Sequence, residues 1–273
     1  MAVVTIFGGT FGNDEDLARS VAKALDCRFV SREIFVDAAR RCEVPEAKLN
    51  DILEKEPHWW ERWLENLRPY RIALQAAMSE AALSENLVYL GHVSHGLLPG
   101  IRHVIRVLLT APVEYQIEQV RARQGLEPGA ARHFIEHVNK ARTRRLMALF
   151  GTDWRDPGQY ALVVNMGQVS VAGAEKIITR AALLDEYQVT AASRLALASL
   201  ALSSKVQAAL LNYPRFRDLN ISVVADQGNV TLTGIIPVSV SEEDLRHVIE
   251  MIPGVTKVIT DLVHLPSRAV GYV

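Results

Sequence analysis

Val3-Val4-Thr5-Ile6-Phe7 is an unbroken run of β-branched or apolar residues closed by Gly8 and Gly9. A run without polar alternation predicts a strand buried on both faces, as in a parallel sheet. Asn13 or Asp14 then reads as a helix N-cap with acids in the first turn, and Leu17, Val21, Ala24 and Leu25 give that helix one apolar face. Short apolar runs recur at 87–90, 104–109 and 161–165, separated by helical periodicity over roughly 31–42, 57–84, 113–124, 128–149 and 171–186. Strands alternating with helices predict an α/β domain whose parallel sheet is flanked by helices.

Beyond about residue 190 the order changes. A helix over Arg194–Leu211 leads into Ile221-Ser222-Val223-Val224, a polar turn at Asp226-Gln227-Gly228-Asn229, and Val230-Thr231-Leu232-Thr233-Gly234. Two β-rich runs around such a turn read as a hairpin. A helix over Glu242–Ile252, stopped by Gly254, and a last strand over Val255–Leu265 complete a small α+β unit of order αββαβ. Gly234 is expected where a side chain would crowd the next helix. The expected division is 1–188 and 189–273, with the linker near 186–193.

Composition sharpens this only slightly. A chain of 273 residues, 49% hydrophobic and 22% charged, suits two globular domains. A net charge of -1 offers no global attraction for nucleic acid or an anionic membrane, so nucleic acid is not expected as a partner. Cys27 and Cys42 lack metal-ligand spacing and read as partly buried thiols of a reducing compartment. There is no basic leader pattern, and the apolar stretch Leu195–Leu202 falls short of the roughly 20 residues of a spanning helix. A cytoplasmic location is the expectation.

Five stretches carry a further signal: Val4-Thr5-Ile6; Phe29-Val30-Ser31-Arg32-Glu33; Val88-Tyr89-Leu90-Gly91; Arg106-Val107-Leu108-Leu109-Thr110-Ala111-Pro112; and Phe150-Gly151-Thr152-Asp153-Trp154-Arg155-Asp156-Pro157 with Tyr160 and Asn165. Together they resemble the cytidylate-kinase-like family of P-loop nucleoside monophosphate kinases, over residues 1 to about 185. The resemblance implies a P-loop parallel sheet and transfer of a phosphoryl group from ATP, with Mg2+, to a CMP-type acceptor. It assigns phosphate to Gly8, Gly9, Thr10, Gly12 and Asn13, the acceptor or lid to Arg32, His92 and Lys140, and catalytic charge stabilisation to Arg142 and Arg145. No side chain is assigned as a metal ligand.

The sequence departs from that template at the phosphate loop. A Walker loop reads G-x-x-x-x-G-K-[ST], whereas Gly8-Gly9-Thr10-Phe11-Gly12-Asn13-Asp14-Glu15 has no lysine and puts carboxylates where phosphate would sit. The family's Gly-Arg-Gly becomes Gly91-His92-Val93, the acid before Arg32 becomes Ser31, and the acid after Tyr160 becomes Ala161. Loss of one preorganised charge-stabilising donor costs about 10²–10³ in rate. A basic helix remains, in which Arg142 and Arg145 share a face. The reading therefore favours a degenerate nucleotide-binding or regulatory protein with weak or no kinase activity over an active CMP-type kinase. Lys140, Arg142, Arg144 and Arg145 divide evenly between phosphate binding and a solvated basic face.

Two other constellations stand apart. His133-Phe134-Ile135-Glu136-His137 matches an inverted zinc-protease signature, making a zinc hydrolase a remote second alternative; His92, His95 and His103 are a weaker suggestion of metal. Trp59 and Trp63 share a helical face and read as packing or interface residues. Residues from about 192 to 265, through Gly228-Asn229-Val230-Thr231-Leu232-Thr233-Gly234 and Pro253-Gly254-Val255-Thr256-Lys257-Val258, resemble a BON domain. That resemblance implies binding of a small ligand, protein or lipid. The acidic helix is not a basic amphipathic membrane binder, so regulation or protein interaction is preferred, and self-association is among the expected partnerships.

Overall fold

The computed structural model describes residues 3–9, 14–31, 34 and 67–265. Strand β1 (Val3–Phe7) is buried at every position, as its continuous apolar run requires. It lies at the centre of a five-stranded sheet. To one side are β3 (Leu87–Leu90) and β2 (Arg28–Val30), to the other β4 (Val104–Thr110) and β5 (Leu162–Asn165), in the order β2-β3-β1-β4-β5. Every pairing is parallel, so each connection crosses over through helical chain. The three-residue β2 is too short to have declared itself by periodicity.

Alternation along the strands divides the core in two. Val4, Ile6, Val88, Ile105 and Val107 face α1 (Asp14–Ala24) and α6 (Val171–Ala182) through Leu17, Val21, Ala174 and Ile178. Val3, Phe7, Leu87, Tyr89 and Leu108 face the other way, against α2 (Arg68–Ser84), the short α3 (Ser94–Leu97) and the end of α5 (Pro128–Phe150). Between them, α4 (Val113–Gln124) and the start of α5 form an antiparallel pair with a small core of Ile117, Val120, Ala131 and Ile135. The segment between β3 and β4 holds α3.

The second unit follows the expected order. Helix α7 (Ala191–Leu211) begins three residues before the expected start, at a capping box formed by Thr190 and Ser193. Strands β6 (Ile221–Asp226) and β7 (Asn229–Pro237) form an antiparallel hairpin whose turn places Gln227 and Gly228 at positive φ. Helix α8 (Glu242–Glu250) then leads to β8 (Lys257–Leu265), parallel to β7. Gly234 corrects an expectation. A Cβ there would press on the Asn220 carbonyl oxygen at 3.0 Å and Ile221 Cα at 3.2 Å, so the crowding comes from the neighbouring strand's entry, not from a helix.

Helix α7 joins the units. Leu197, Ala208 and Leu211 belong to the core under the parallel sheet, and Val206 and Leu210 to the core of the second unit with Val230, Leu232 and Leu245. By length and composition the helical span Asp185–Leu211 is apolar enough to cross a membrane, contrary to the expectation from Leu195–Leu202. Its buried apolar residues are committed to these two cores. The helix expected over 31–42, the first part of that over 57–84, Trp59, Trp63 and Cys42 lie outside the described residues. Cys27 is half-buried, and burial pushes its thiol pKa up.

Candidate functional site

Parallel strands bring their C-terminal ends to one edge, where α/β sheets bind ligands. Here β1 delivers Gly8, β3 delivers Gly91 and His92, and α1 opens with Asp14. Counting G-x-x-x-x-G-K-[ST] from Gly8 puts the second glycine on Asn13, the lysine on Asp14 and the hydroxyl residue on Glu15. The lysine position therefore carries a reversed charge. Asp14 does not turn away: a Cβ added at Gly8 would collide with its Oδ2 and lie 3.1 Å from its Cγ. The carboxylate thus rests on the bare Cα of Gly8, on the surface where a phosphate would approach the backbone. Glu15 points elsewhere, accepting from Arg19 at 2.6 Å on the exposed side of α1.

The basic helix resolves into two kinds of residue. Lys140 and Arg144 are exposed. Arg142 and Arg145 are buried, at 6% and 3% exposure, so the solvated-face alternative fails for these two. Arg142 Nη2 donates to His92 Nε2 at 3.1 Å. A guanidinium has no acceptor, so His92 Nε2 must present its lone pair, leaving the ring neutral with its proton on Nδ1. Among the described residues, Arg142 Nη1 is buried without a hydrogen-bond partner. Burial pushes the Arg142 pKa down to about 10; Asp14 opposes the fall and Arg145 deepens it. Two buried guanidiniums, a neutral imidazole and the Asp14 carboxylate are therefore gathered where the sheet ends.

Aromatic rings close the site from below. Phe7 stacks on Trp154 with centroids 5.2 Å apart, and meets His92 and Tyr160 edge-on at 5.7 and 6.4 Å. Trp154 is fixed by donating from Nε1 to Thr143 Oγ1 at 3.0 Å. This explains the 150–160 stretch: it latches the basic helix onto the end of β1. Tyr89, fully buried, points its hydroxyl under Gly91, where a Cβ would collide with it. That hydroxyl has no hydrogen-bond partner among the described residues, and burial raises its pKa. Sequence reasoning misses Phe7 and Tyr89 as site residues and finds Asp14 only as a carboxylate in conflict with phosphate. The alternation that places Phe7 and Tyr89 on one sheet face was visible, but not their meeting with α5.

Of the sequence-predicted residues, the structure brings together Gly8, His92, Arg142 and Arg145, with Gly9 beside them in the chain. Lys140 is on the solvent side of α5. Thr10, Gly12, Asn13 and Arg32 lie outside the described residues. His133 and His137 stack at 6.2 Å, but no group of three His, Cys, Asp or Glu among the described residues could hold a metal ion. His103 is buried, and burial lowers its pKa.

Comparisons with known proteins agree with this architecture. The family model described as "Cytidylate kinase-like family" matches residues 3–168, and that of the BON domain matches residues 200–266. A cytidylate kinase of Staphylothermus marinus is 28% identical over 182 residues, covering 65% of this chain and 94% of that protein. A cytidylate kinase of Ignicoccus hospitalis is 27% identical over 179 residues, covering 65% and 95%. Among solved structures, an uncharacterized protein from Eubacterium ventriosum superposes with a TM-score of 0.51 at 16% identity, covering 66% of this chain and 97% of that one, a likeness of fold.

Proposed function

The chain belongs to the cytidylate kinase-like family, and from that premise we propose that its first domain is a degenerate member: a nucleotide-binding or regulatory unit with weak or no kinase activity, fused to a BON module that senses a ligand or partner. The observation that carries this reading is the Asp14 carboxylate resting on Gly8 within the field of the buried Arg142. In a phosphoryl-transfer site the loop amides and a lysine cradle phosphate oxygens, and a hydroxyl holds Mg2+. Here the lysine place holds an anion and the hydroxyl place holds Glu15, turned to Arg19. These residues do not fit ATP with Mg2+ in the family's manner.

What the site offers instead is anion recognition. Arg142 and Arg145 are desolvated, where each charge acts more strongly than in water, and Asp14 neutralises part of their field. An incoming phosphate group must displace that carboxylate, so the site discriminates by charge: a dianionic group can outbid a single carboxylate, a neutral one cannot. A cytoplasmic location belongs to the same proposal.

Calorimetry with ATP and with CMP, each with and without Mg2+, tests it, followed by a CMP phosphorylation assay on the same sample. Weak Mg2+-independent binding with negligible turnover is expected. Tight Mg2+-dependent binding with turnover would establish the alternative, an active CMP-type kinase, which the convergence of Arg142, Arg145 and His92 favours. No binding of either nucleotide would overturn both.

A further inference from the structure

The BON-like sheet has one covered and one open face. Its inner face packs on α7 and α8. Its outer face carries Val224 at 58% exposure, Ile235 at 53%, Ile259 at 41%, Val263 at 58% and Leu265 at 53%. Those five large apolar side chains share one face because β6, β7 and β8 are in register and alternate with period two. Apolar residues gathered on one face, with polar residues among them, mark an interaction surface.

The register shows what fits. One row runs Asp226–Asn229–Lys257, the next Val224–Thr231–Ile259, the next Ser222–Thr233–Asp261, and beyond them Ile235 pairs with Val263. A two-fold axis running along β7 keeps each row at its own height and lays β8 of one copy over β6 of the other. Lys257 then meets Asp226, Ile259 meets Val224, Asp261 meets the Ser222 hydroxyl, and Ile235 meets its own counterpart. Each contact off the axis occurs twice, as an isologous interface demands, and the Ile235 pair lies on the axis. No like charges oppose. Strand-edge pairing is the rival geometry, and the exposed edge of β8 is blunted against it: Arg246 on α8 donates from Nη1 to the Val258 carbonyl at 3.1 Å and from Nη2 to Thr260 Oγ1 at 3.3 Å.

We propose that this open face is a self-association surface whose occupant is the same face of a second copy of the chain, packed sheet on sheet about an axis along β7. Three strands about 4.8 Å apart, nine residues long in β7 and β8 and six in β6, at about 3.3 Å per residue present a face of at most roughly 14 by 30 Å. That lies below the roughly 800 Å² per partner of a standard stable interface, so the dimer is weak and concentration-dependent.

The test is sedimentation velocity of the full chain from about 1 to about 100 μM, a range chosen for an interface of this size. The wild type is expected to shift from monomer to dimer. Ile235→Glu, at an exposed position, is expected to remain monomeric throughout with unchanged circular dichroism. Lys257→Glu weakens association at least about tenfold, and Lys257→Glu with Asp226→Lys restores it, because the exchanged charges still face each other across the axis. A wild type monomeric over the whole range overturns the proposal, as does dimerisation insensitive to Ile235→Glu or a double variant no better than the single one. Flotation with phosphatidylcholine–phosphatidylglycerol vesicles is the last arm. Vesicle binding abolished by Ile235→Glu in a protein that stays monomeric would assign the face to a membrane and overturn it equally.

Discussion

Replacing Arg142 by methionine should make this protein more stable while removing its anion site. The guanidinium is buried, its pKa lies at about 10, and the first cause is burial. A fall of roughly two and a half decades in proton affinity corresponds to about 3 kcal/mol disfavouring the charged form, the attraction of Asp14 included. The folded-state pKa of this base is depressed. The unfolded chain therefore holds the proton more tightly, and stability rises with pH only between about 10 and the ordinary arginine value. At pH 7 both states are charged and the full penalty stands. Methionine keeps most of the packing without the charge, and relieving the desolvation of that charge returns part of the penalty of about 3 kcal/mol to the folded state. The expected gain is about 1–3 kcal/mol, several degrees in Tm for a chain of this size. Thermal denaturation at pH 7 reads it, with and without ATP or inorganic phosphate. The wild type should gain stability from the anion in proportion to ln(1 + [L]/Kd), and the variant should gain none. A variant that melts lower than wild type would refute the reasoning, because it would show that the guanidinium is fully compensated where it lies.

Three further outcomes follow from the same geometry. Asp14→Lys combined with Asn13→Gly restores the spacing of a phosphate loop and lifts the carboxylate off Gly8; calorimetry should show ATP binding at least about tenfold tighter than wild type, and an unchanged affinity would mean the loop is not the nucleotide site. Gly91→Ala should destabilise by about 1–3 kcal/mol through collision with the Tyr89 hydroxyl and ring, whereas Tyr89→Phe alone, relieving a buried hydroxyl without a partner, should be neutral or stabilising by about 1 kcal/mol; the double variant measured by denaturant unfolding should recover only part of the loss, because the ring Cζ would still lie 2.5 Å from the new Cβ. Leu211→Ala, in the core under the parallel sheet, should cost about 2–5 kcal/mol.

The strand–helix alternation and the αββαβ order were legible because burial on both faces leaves an unmistakable mark: β1 and β4 carry almost no polar residue, and β6 alternates strictly, buried then exposed, along its length. Helix α4 was read to the residue because Pro112 precedes it and Gly125 follows it with φ of 66°. What was not legible was direction in space. The spacing of Arg142 and Arg145 said that they share a face of α5, but a basic face and a buried pair look alike in one dimension. Only the packing of Leu146 and Leu149 against the sheet turns that face inward. Asp14 was legible as a residue that conflicts with phosphate, and its conformation was not, since an N-terminal carboxylate serves equally well capping its own helix or folding back on the loop.

The sharing of α7 between two cores bears on how a ligand at one unit reaches the other. Arg68, at the start of α2, donates to the carbonyl of Arg217 at 3.3 Å just after α7, and Arg217 donates back to the Leu211 carbonyl at 3.3 Å. Helix α2 leads directly into β3, whose end carries Gly91 and His92. A displacement of α7 therefore presses on α2 through packed side chains and through two hydrogen bonds to backbone, and α2 positions the strand that holds the partner of Arg142. Packed cores shift between discrete arrangements more readily than they deform continuously. Contacts of this kind predict that occupancy of the small sheet unit and occupancy of the arginine site are coupled. The physical test is reciprocity: self-association through the outer sheet face should change the anion affinity of the arginine site, and the anion should change self-association by the same factor.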